Sequence, residues 1–246
     1  MTPIVFCWSG GKDSALALDA LQRGGEYKVV SLLTTVTSDY DRISMHGVRR
    51  ALLHAQARAV GLPAQEVLIP KEASNEIYEA QMGAALAEWR ERGIEVMAFG
   101  DIFLEDLRAY RERNLAQLGM RALFPIWKIP TNELVQDFID RRFRAVTVCI
   151  DTRHLTDVWV GRNIDADFVR DLPAAVDPCG ENGEFHSFVY DAPNFSGPIA
   201  FELGERVWRD SFLFQDLIPR GLNEPEAGAD SNGSGRPLAF KGDFSR

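Results

Sequence analysis

Cysteine is scarce in this chain: three among 246 residues, Cys7, Cys149 and Cys179, all far apart. No C-x-x-C pair exists, which argues against a zinc ribbon or a dithiol redox motif. A sparse, odd count suits a reducing compartment. Positive charge is also short, with 27 Lys and Arg against 36 Asp and Glu and a net charge of −9. That balance weighs against a nucleic-acid partner held by bulk phosphate neutralisation, while leaving room for a local basic pocket. Long apolar runs are missing: nothing approaches the roughly 18 residues of a membrane span. The apolar run at 4–8 has no basic residues before it and is too short for a signal segment. The expectation is a soluble, cytoplasmic protein without a membrane partner. The remainder is ordinary, with 46% hydrophobic and 26% charged residues. A chain of this length can bury roughly 70–75% of its unfolded surface, so its core needs no disulfide or metal.

Short buried-type strands at 4–8, 29–35, 66–69, 94–99 and 145–150 alternate with helical patterns at 13–23, 46–60, 74–92, 105–118 and 131–141. Ser74 and Thr131 stand as helix N-caps. The alternation predicts an α/β domain over 1–150, with a mainly parallel sheet and helices on both faces. Such sheets bind ligands outside the carboxyl ends of their strands. Beyond 151 the pattern changes. A short helix at 165–172 precedes strands at 185–190, 199–203 and 206–214, predicting a smaller strand-rich unit to 222. The Gly-, Ser- and Asn-rich segment 223–246 has the composition of a flexible tail. Trp127, Trp159 and Trp208 read as core or inter-domain aromatics.

The sharpest feature is Ser9-Gly10-Gly11-Lys12-Asp13-Ser14, between the first strand and the first helix. Two glycines let the backbone turn tightly, and the helix N-terminus offers unpaired N–H groups to an anion. Ser9 and Ser14 add hydroxyls and Lys12 a point charge. The spacing is not that of the Walker loop. Asp13 suits either a magnesium ligand or a helix N-terminal acid favoured by the dipole.

This string resembles the PP-loop of the ATP pyrophosphatases in the HUP superfamily. Three further segments narrow the resemblance: Gly100-Asp101-Ile102 followed by Arg108 and Arg111; Phe124-Pro125-Ile126-Trp127; and Cys179-Gly180-Glu181-Asn182-Gly183-Glu184-Phe185-His186-Ser187. In this order they resemble the diphthine–ammonia ligase family over roughly residues 4–200, in a form similar to a bacterial branch. The resemblance implies a HUP-type parallel sheet and a second, smaller domain. It implies ATP and Mg2+ as cofactors and an enzyme that adenylates a carboxylate, releases pyrophosphate and passes the acyl group to ammonia or another amine. The carboxylate would belong to a small molecule or a protein, and a homo-oligomer is left open.

On that reading Ser9, Gly10, Gly11, Lys12, Asp13, Ser14, His46, Gly100 and Asp101 hold the nucleotide, with Asp13 and Asp101 at the metal. Lys12, Asp13 and Glu184 are the catalytic candidates. Arg108, Arg111, Glu181, Asn182, Glu184 and His186 are the substrate candidates. Arg108 and Arg111, three apart on one helix face, could clamp phosphate or carboxylate, or simply be solvated. Glu181 and Glu184 could wall the site and attract ammonium, or belong to a solvated turn. His186 could act as a base or be structural. Cys179 could carry an acyl group, although a buried structural thiol carries more weight. Two other functions stay open: a PP-loop tRNA-modifying enzyme, and an ATP-binding sensor without turnover.

Overall fold

A computed structural model describes residues 1–44 and 46–221 of the chain. The expected tail at 223–246 lies outside the described residues. Strands β1 (Thr2–Cys7), β2 (Tyr27–Thr37), β3 (Arg42–Ile43), β4 (Ala64–Ile69), β5 (Val96–Ala98) and β6 (Arg121–Leu123) form the first sheet. Its parallel order is β4-β2-β1-β5-β6, and β3 adds an antiparallel edge at the end of β2. The helices are α1 (Lys12–Gly24), α2 (Arg50–Val60), α3 (Asn75–Glu91), α4 (Glu105–Gln117) and α5 (Thr131–Asp140). Strand β1 shows why the sheet must be covered twice. Ile4 and Phe6 enter one apolar cluster with α1 and α2, while Val5 enters a second cluster with Leu86 of α3 and Leu115 of α4. Alternation along a strand sends neighbours to opposite faces, so a fully apolar run needs two partners.

The second sheet is antiparallel, in the order β8-β7-β10-β9, from β7 (Arg144–Asp151), β8 (Phe185–Asp191), β9 (Phe201–Arg209) and β10 (Phe212–Pro219). The short helix α6 (Ala166–Asp171) is capped by Asp165, whose side chain accepts from the Phe168 N–H. Val146 and Phe188 of this sheet belong to the same apolar cluster as Ile4 and Phe6. One core therefore joins the second sheet to the α1–α2 face of the first.

Several expectations change. The strand near 145–150 belongs to the second sheet rather than to the parallel one, because a strand buried on both faces reads alike in either setting. The run at 206–214 contains the β9–β10 turn, where Asp210 adopts φ 50°. Thr131 does not cap α5: its hydroxyl donates instead to Asp177 at 2.7 Å. Of the three tryptophans, Trp159 is a core residue as expected, and Trp208 is not. Trp159 meets Phe168, Trp127 meets Phe124, and Trp208 is 60% exposed. Among the described residues, no helix is long and apolar enough to cross a membrane.

Candidate active site

In the first sheet, β2 and β4 lie on one side of β1, and β5 and β6 on the other. The order reverses between β1 and β5, and the crevice beyond that point is where open α/β sheets bind ligands. Residues 9–14 follow β1 and residues 100–104 follow β5. The two turns touch: a Cβ on Gly100 would lie 2.9 Å from the Cα and N of Ser14. Only glycine allows that approach.

The loop is built partly by the second sheet. Lys12 N–H donates to the Ser187 hydroxyl at 3.1 Å, and Val189 N–H to the Gly10 carbonyl at 2.9 Å. Gln56, fully buried on α2, accepts from the Trp8 indole at 3.0 Å and donates to the carbonyls of Gly10 and Val189 at 2.9 and 2.7 Å. Gly10 has φ +79°, and a Cβ there would lie 2.5 Å from Gln56 Oε1. The glycine therefore answers to packing by the protein itself as well as to the turn. Ser9 and Ser14 join hydroxyl to hydroxyl at 3.1 Å, and Ser14 also donates to the Gly11 carbonyl at 2.9 Å. Gln56 and Ser187 were not picked out as site residues from sequence. The signal available for Gln56 was an amide on the apolar stripe of α2, one turn from Leu52 and Leu53.

Lys12 is buried. Its ammonium donates to Asp13 Oδ2 at 2.9 Å and to the Cys179 carbonyl, and lies 5.2 Å from the centre of the Phe185 ring. Burial alone would depress its pKa, but Asp13 and the neighbouring acidic groups outweigh burial and raise it. Burial raises the Asp13 carboxyl, against the pull of Lys12. Asp13 Oδ1 is buried without a hydrogen-bond partner. An acceptor left bare in this way fits a magnesium ion that keeps most of its ligands as water and phosphate oxygens. Among the described residues, no group of three His, Cys, Asp or Glu is arranged to hold a metal by itself.

The segment 177–187 folds over the loop. Glu181 accepts from the N–H groups of Ile102 and Phe103 at 2.9 and 3.4 Å, tying the second lobe to the turn after β5. Burial pushes its carboxyl up to about 7. Glu184 is also buried, and it takes N–H groups from Asp177 and Asn182, both at 3.0 Å, together with the Asn182 side-chain amide at 3.1 Å. Glu184 therefore holds the turn, and Asn182 is one of its partners. Cys179 donates to the Thr131 carbonyl at 3.4 Å, and burial raises its thiol. That environment keeps it protonated and inert.

His46 and His186 lie side by side, ring centres 4.8 Å apart. His46 Nδ1 is 3.1 Å from the Ser187 carbonyl, which selects the tautomer that donates there. Burial holds His46 down to about 4 and His186 to about 3, so both are neutral near pH 7.

At the end of β5 the arrangement departs from expectation. Asp101 faces Arg111, with both oxygens accepting, at 2.6 and 3.1 Å. A carboxylate engaged in this way is a poor magnesium ligand. Arg111 lies over Phe99 and lines a cavity of about 130 Å³ with Tyr78, Tyr110 and Asn114. Arg108 stacks on Phe124 and Trp127 and pairs with Glu112 at 2.8 Å. The two arginines thus do not form a single clamp. A larger cavity of about 490 Å³, lined by Arg144, Asn163, Asp165 and Tyr190, includes none of the expected site residues.

The chain matches two family models, the diphthamide synthase N-terminal domain over residues 1–122 and the diphthamide synthase C-terminal domain over residues 130–219. It is 23% identical over 231 residues to the diphthine–ammonia ligase of Bos taurus, covering 84% of this chain and 85% of that protein. A crystal structure from Methanocaldococcus jannaschii, described as a predicted subunit of tRNA methyltransferase, is 16% identical over 64% of this chain and 82% of that one. Its TM-score of 0.40 is too loose a likeness to bear on fold or function.

Proposed function

Since the chain belongs to the diphthamide synthase family, we propose that it is an ATP-dependent, AMP- and pyrophosphate-forming ligase that joins a carboxylate to ammonia or another amine. Its similarity to the bovine diphthine–ammonia ligase supports this class of reaction. The observation that carries the reading is the Lys12–Asp13 pair at the first turn of α1, with its buried, unpartnered Asp13 oxygen.

The residues divide the work as follows. The N-terminus of α1 and the Lys12 ammonium face the polyphosphate of ATP, where charge grows as pyrophosphate leaves. Donors aimed at developing charge stabilise the transition state more than the ground state. Asp13, through the oxygen that Lys12 leaves free, would hold magnesium, which neutralises phosphate charge when bound. Gln56, Ser187 and Val189 fix the loop from behind, so these donors need no reorganisation during the reaction. Glu181 feels the charges of Lys12 and Asp13, and burial pushes its carboxyl up to about 7, the range that suits a proton acceptor at neutral pH. His46 and His186 bring neutral imidazoles to the same wall. Glu184 positions that wall, and we assign it no proton transfer.

Mass spectrometry of nucleotide products tests this. The protein is incubated with magnesium-ATP, ammonium and either dialysed or undialysed extract of its own cells, with Lys12→Ala as control. AMP and pyrophosphate formed with intact Lys12 are the expected result. AMP that depends on undialysed extract identifies a small-molecule carboxylate, and AMP with both extracts a macromolecular one. ADP and phosphate in their place, or bound ATP without turnover, would overturn the ligase reading.

A further inference from the structure

Between α3 and α4, on the face of the first sheet away from α1, lies the cavity of about 130 Å³. Met82 and Leu86 of α3, Met97 and Phe99 in and after β5, and Leu115 of α4 give it apolar walls. In the middle of α3 the wall is Gly83. A glycine inside a helix weakens it, and an apolar cavity left empty forfeits packing. Neither cost is forced here. A Cβ on Gly83 would meet no atom within 4 Å, and its φ is not positive. Backbone and neighbours would both accept a larger residue, and that residue would close the space. The missing side chain keeps the cavity open.

The cavity reaches the carboxyl edge of the sheet. Strand β5 points to that edge, and α3 and α4 run back from it. Tyr78, Phe99 and Arg111 therefore line the upper end, and Leu86, Met97 and Leu115 the lower. The upper end adjoins the crevice. Arg111 holds Asp101, the residue after Gly100, and its charge is felt by Cys7, the last residue of β1. Both Asp101 oxygens accept from Arg111, so the guanidinium charge is matched there. Burial pushes Tyr78 up to about 12, which leaves it a neutral hydroxyl at neutral pH. At the rim, Tyr110 of α4 donates to Glu79 of α3 at 3.0 Å. The interior thus offers apolar walls, a neutral hydroxyl and no unmatched charge, a lining suited to an uncharged ring or branched chain.

We propose that this cavity seats the apolar group of the carboxylate substrate, whose carboxylate then reaches the crevice over the end of β5. The proposal rests on the ligase reading above and names its substrate class: an organic acid with an uncharged side group no larger than about a phenyl ring. An apolar cavity of about 150 Å³ holds benzene, and this one is slightly smaller.

The test uses the whole protein and fluorobenzene, followed by fluorine NMR. Saturable binding to the wild type is expected, weakened at least tenfold in Gly83→Leu, whose side chain fills the cavity. Gly83→Ala, which mends the helix and leaves most of the space, should keep the binding and raise the thermal midpoint by about 2–4 °C. A further comparison needs no variant: phenylacetate, 4-phenylbutanoate and 4-methylpentanoate should displace fluorobenzene from the wild type, and acetate should not. Absence of binding to the wild type, or equal binding to Gly83→Leu, would overturn the proposal. AMP formation is then measured with the same four acids. At least one of the three larger acids should be used in preference to acetate, with a KM that rises about tenfold or more in Gly83→Leu. A KM unmoved by that substitution, or AMP formed with cell extract but with none of the larger acids, overturns the assignment to the substrate. If extract yields no AMP either, the ligase reading fails, and the fluorine titration still decides whether the cavity binds an apolar group.

Discussion

The two strand ends that flank the crevice carry the same kind of pair and use it differently. After β1, Lys12 meets Asp13 through one oxygen and leaves the other bare. After β5, Arg111 meets Asp101 through both. A guanidinium is a planar fork that matches a carboxylate in two places, whereas an ammonium is a point donor on a flexible stem. The arginine pair is a closed unit that braces α4 against the sheet. The lysine pair is half-satisfied, so it can exchange partners. Similar residues thus give a closed pair on one side and a half-satisfied one on the other.

Breaking the β1 pair should have the largest effect. Lys12→Ala should lower the rate of AMP formation by about a thousandfold or more, roughly 4 kcal/mol of transition-state stabilisation, as read by nucleotide analysis. Breaking the β5 pair should act on stability instead. Arg111→Ala leaves Asp101 without its guanidinium and should cost about 2–4 kcal/mol in urea unfolding, while ATP affinity changes little. Arg111→Lys, which keeps the charge and loses the fork, should recover only part of that cost.

The histidine wall gives a smaller effect that depends on pH. Burial lowers His186 from 6.5 to about 3, so below pH 6.5 the unfolded chain takes up a proton that the folded chain refuses. Stability therefore falls as pH drops through this window, and His186→Asn should remove that component. The variant should lose about 2 kcal/mol less than the wild type between roughly pH 6.5 and 4.5, measured by urea melts at each pH. Glu181 has the opposite sign. Its carboxyl is raised from 4.5 to about 7, so its contribution favours the folded state as pH falls from 7 towards 4.5. Glu181→Gln should flatten that opposing slope. The smallest effect belongs to Gly10→Ala, which combines a positive φ with a close contact to Gln56. It should lower stability by about 1–2 kcal/mol, with the thermal midpoint as readout.

What could be read in advance follows the range of the interactions. The strand–loop–helix around residues 9–14 was legible because its parts are neighbours in sequence: an apolar run, two glycines and an amphipathic helix. The same holds for Gly100 at the end of β5 and for Ser74 capping α3. Ser187 was not legible as a loop ligand, since its partner Lys12 is 175 residues away. Gln56 likewise reaches Val189 across 133 residues. Glu184 was expected to do chemistry because it is acidic and lies in a family-like segment. The structure gives each of its oxygens a backbone N–H, a role that depends on how the turn folds. Asp101 was placed at the metal by its position at a strand end, and only the approach of α4 brings Arg111 onto it.

The sequence by itself determined the α/β pattern of the first sheet, the glycine turn after β1 and the presence of a second, strand-rich unit. These are products of periodicity and of backbone freedom at particular residues, and both act locally. The tertiary structure alone decided that β7 joins the second sheet, that β8 clamps the loop, and which carboxylate keeps a free oxygen. Each of those outcomes depends on hydrogen bonds and burial between distant segments, which no stretch of sequence contains until the chain has brought them together.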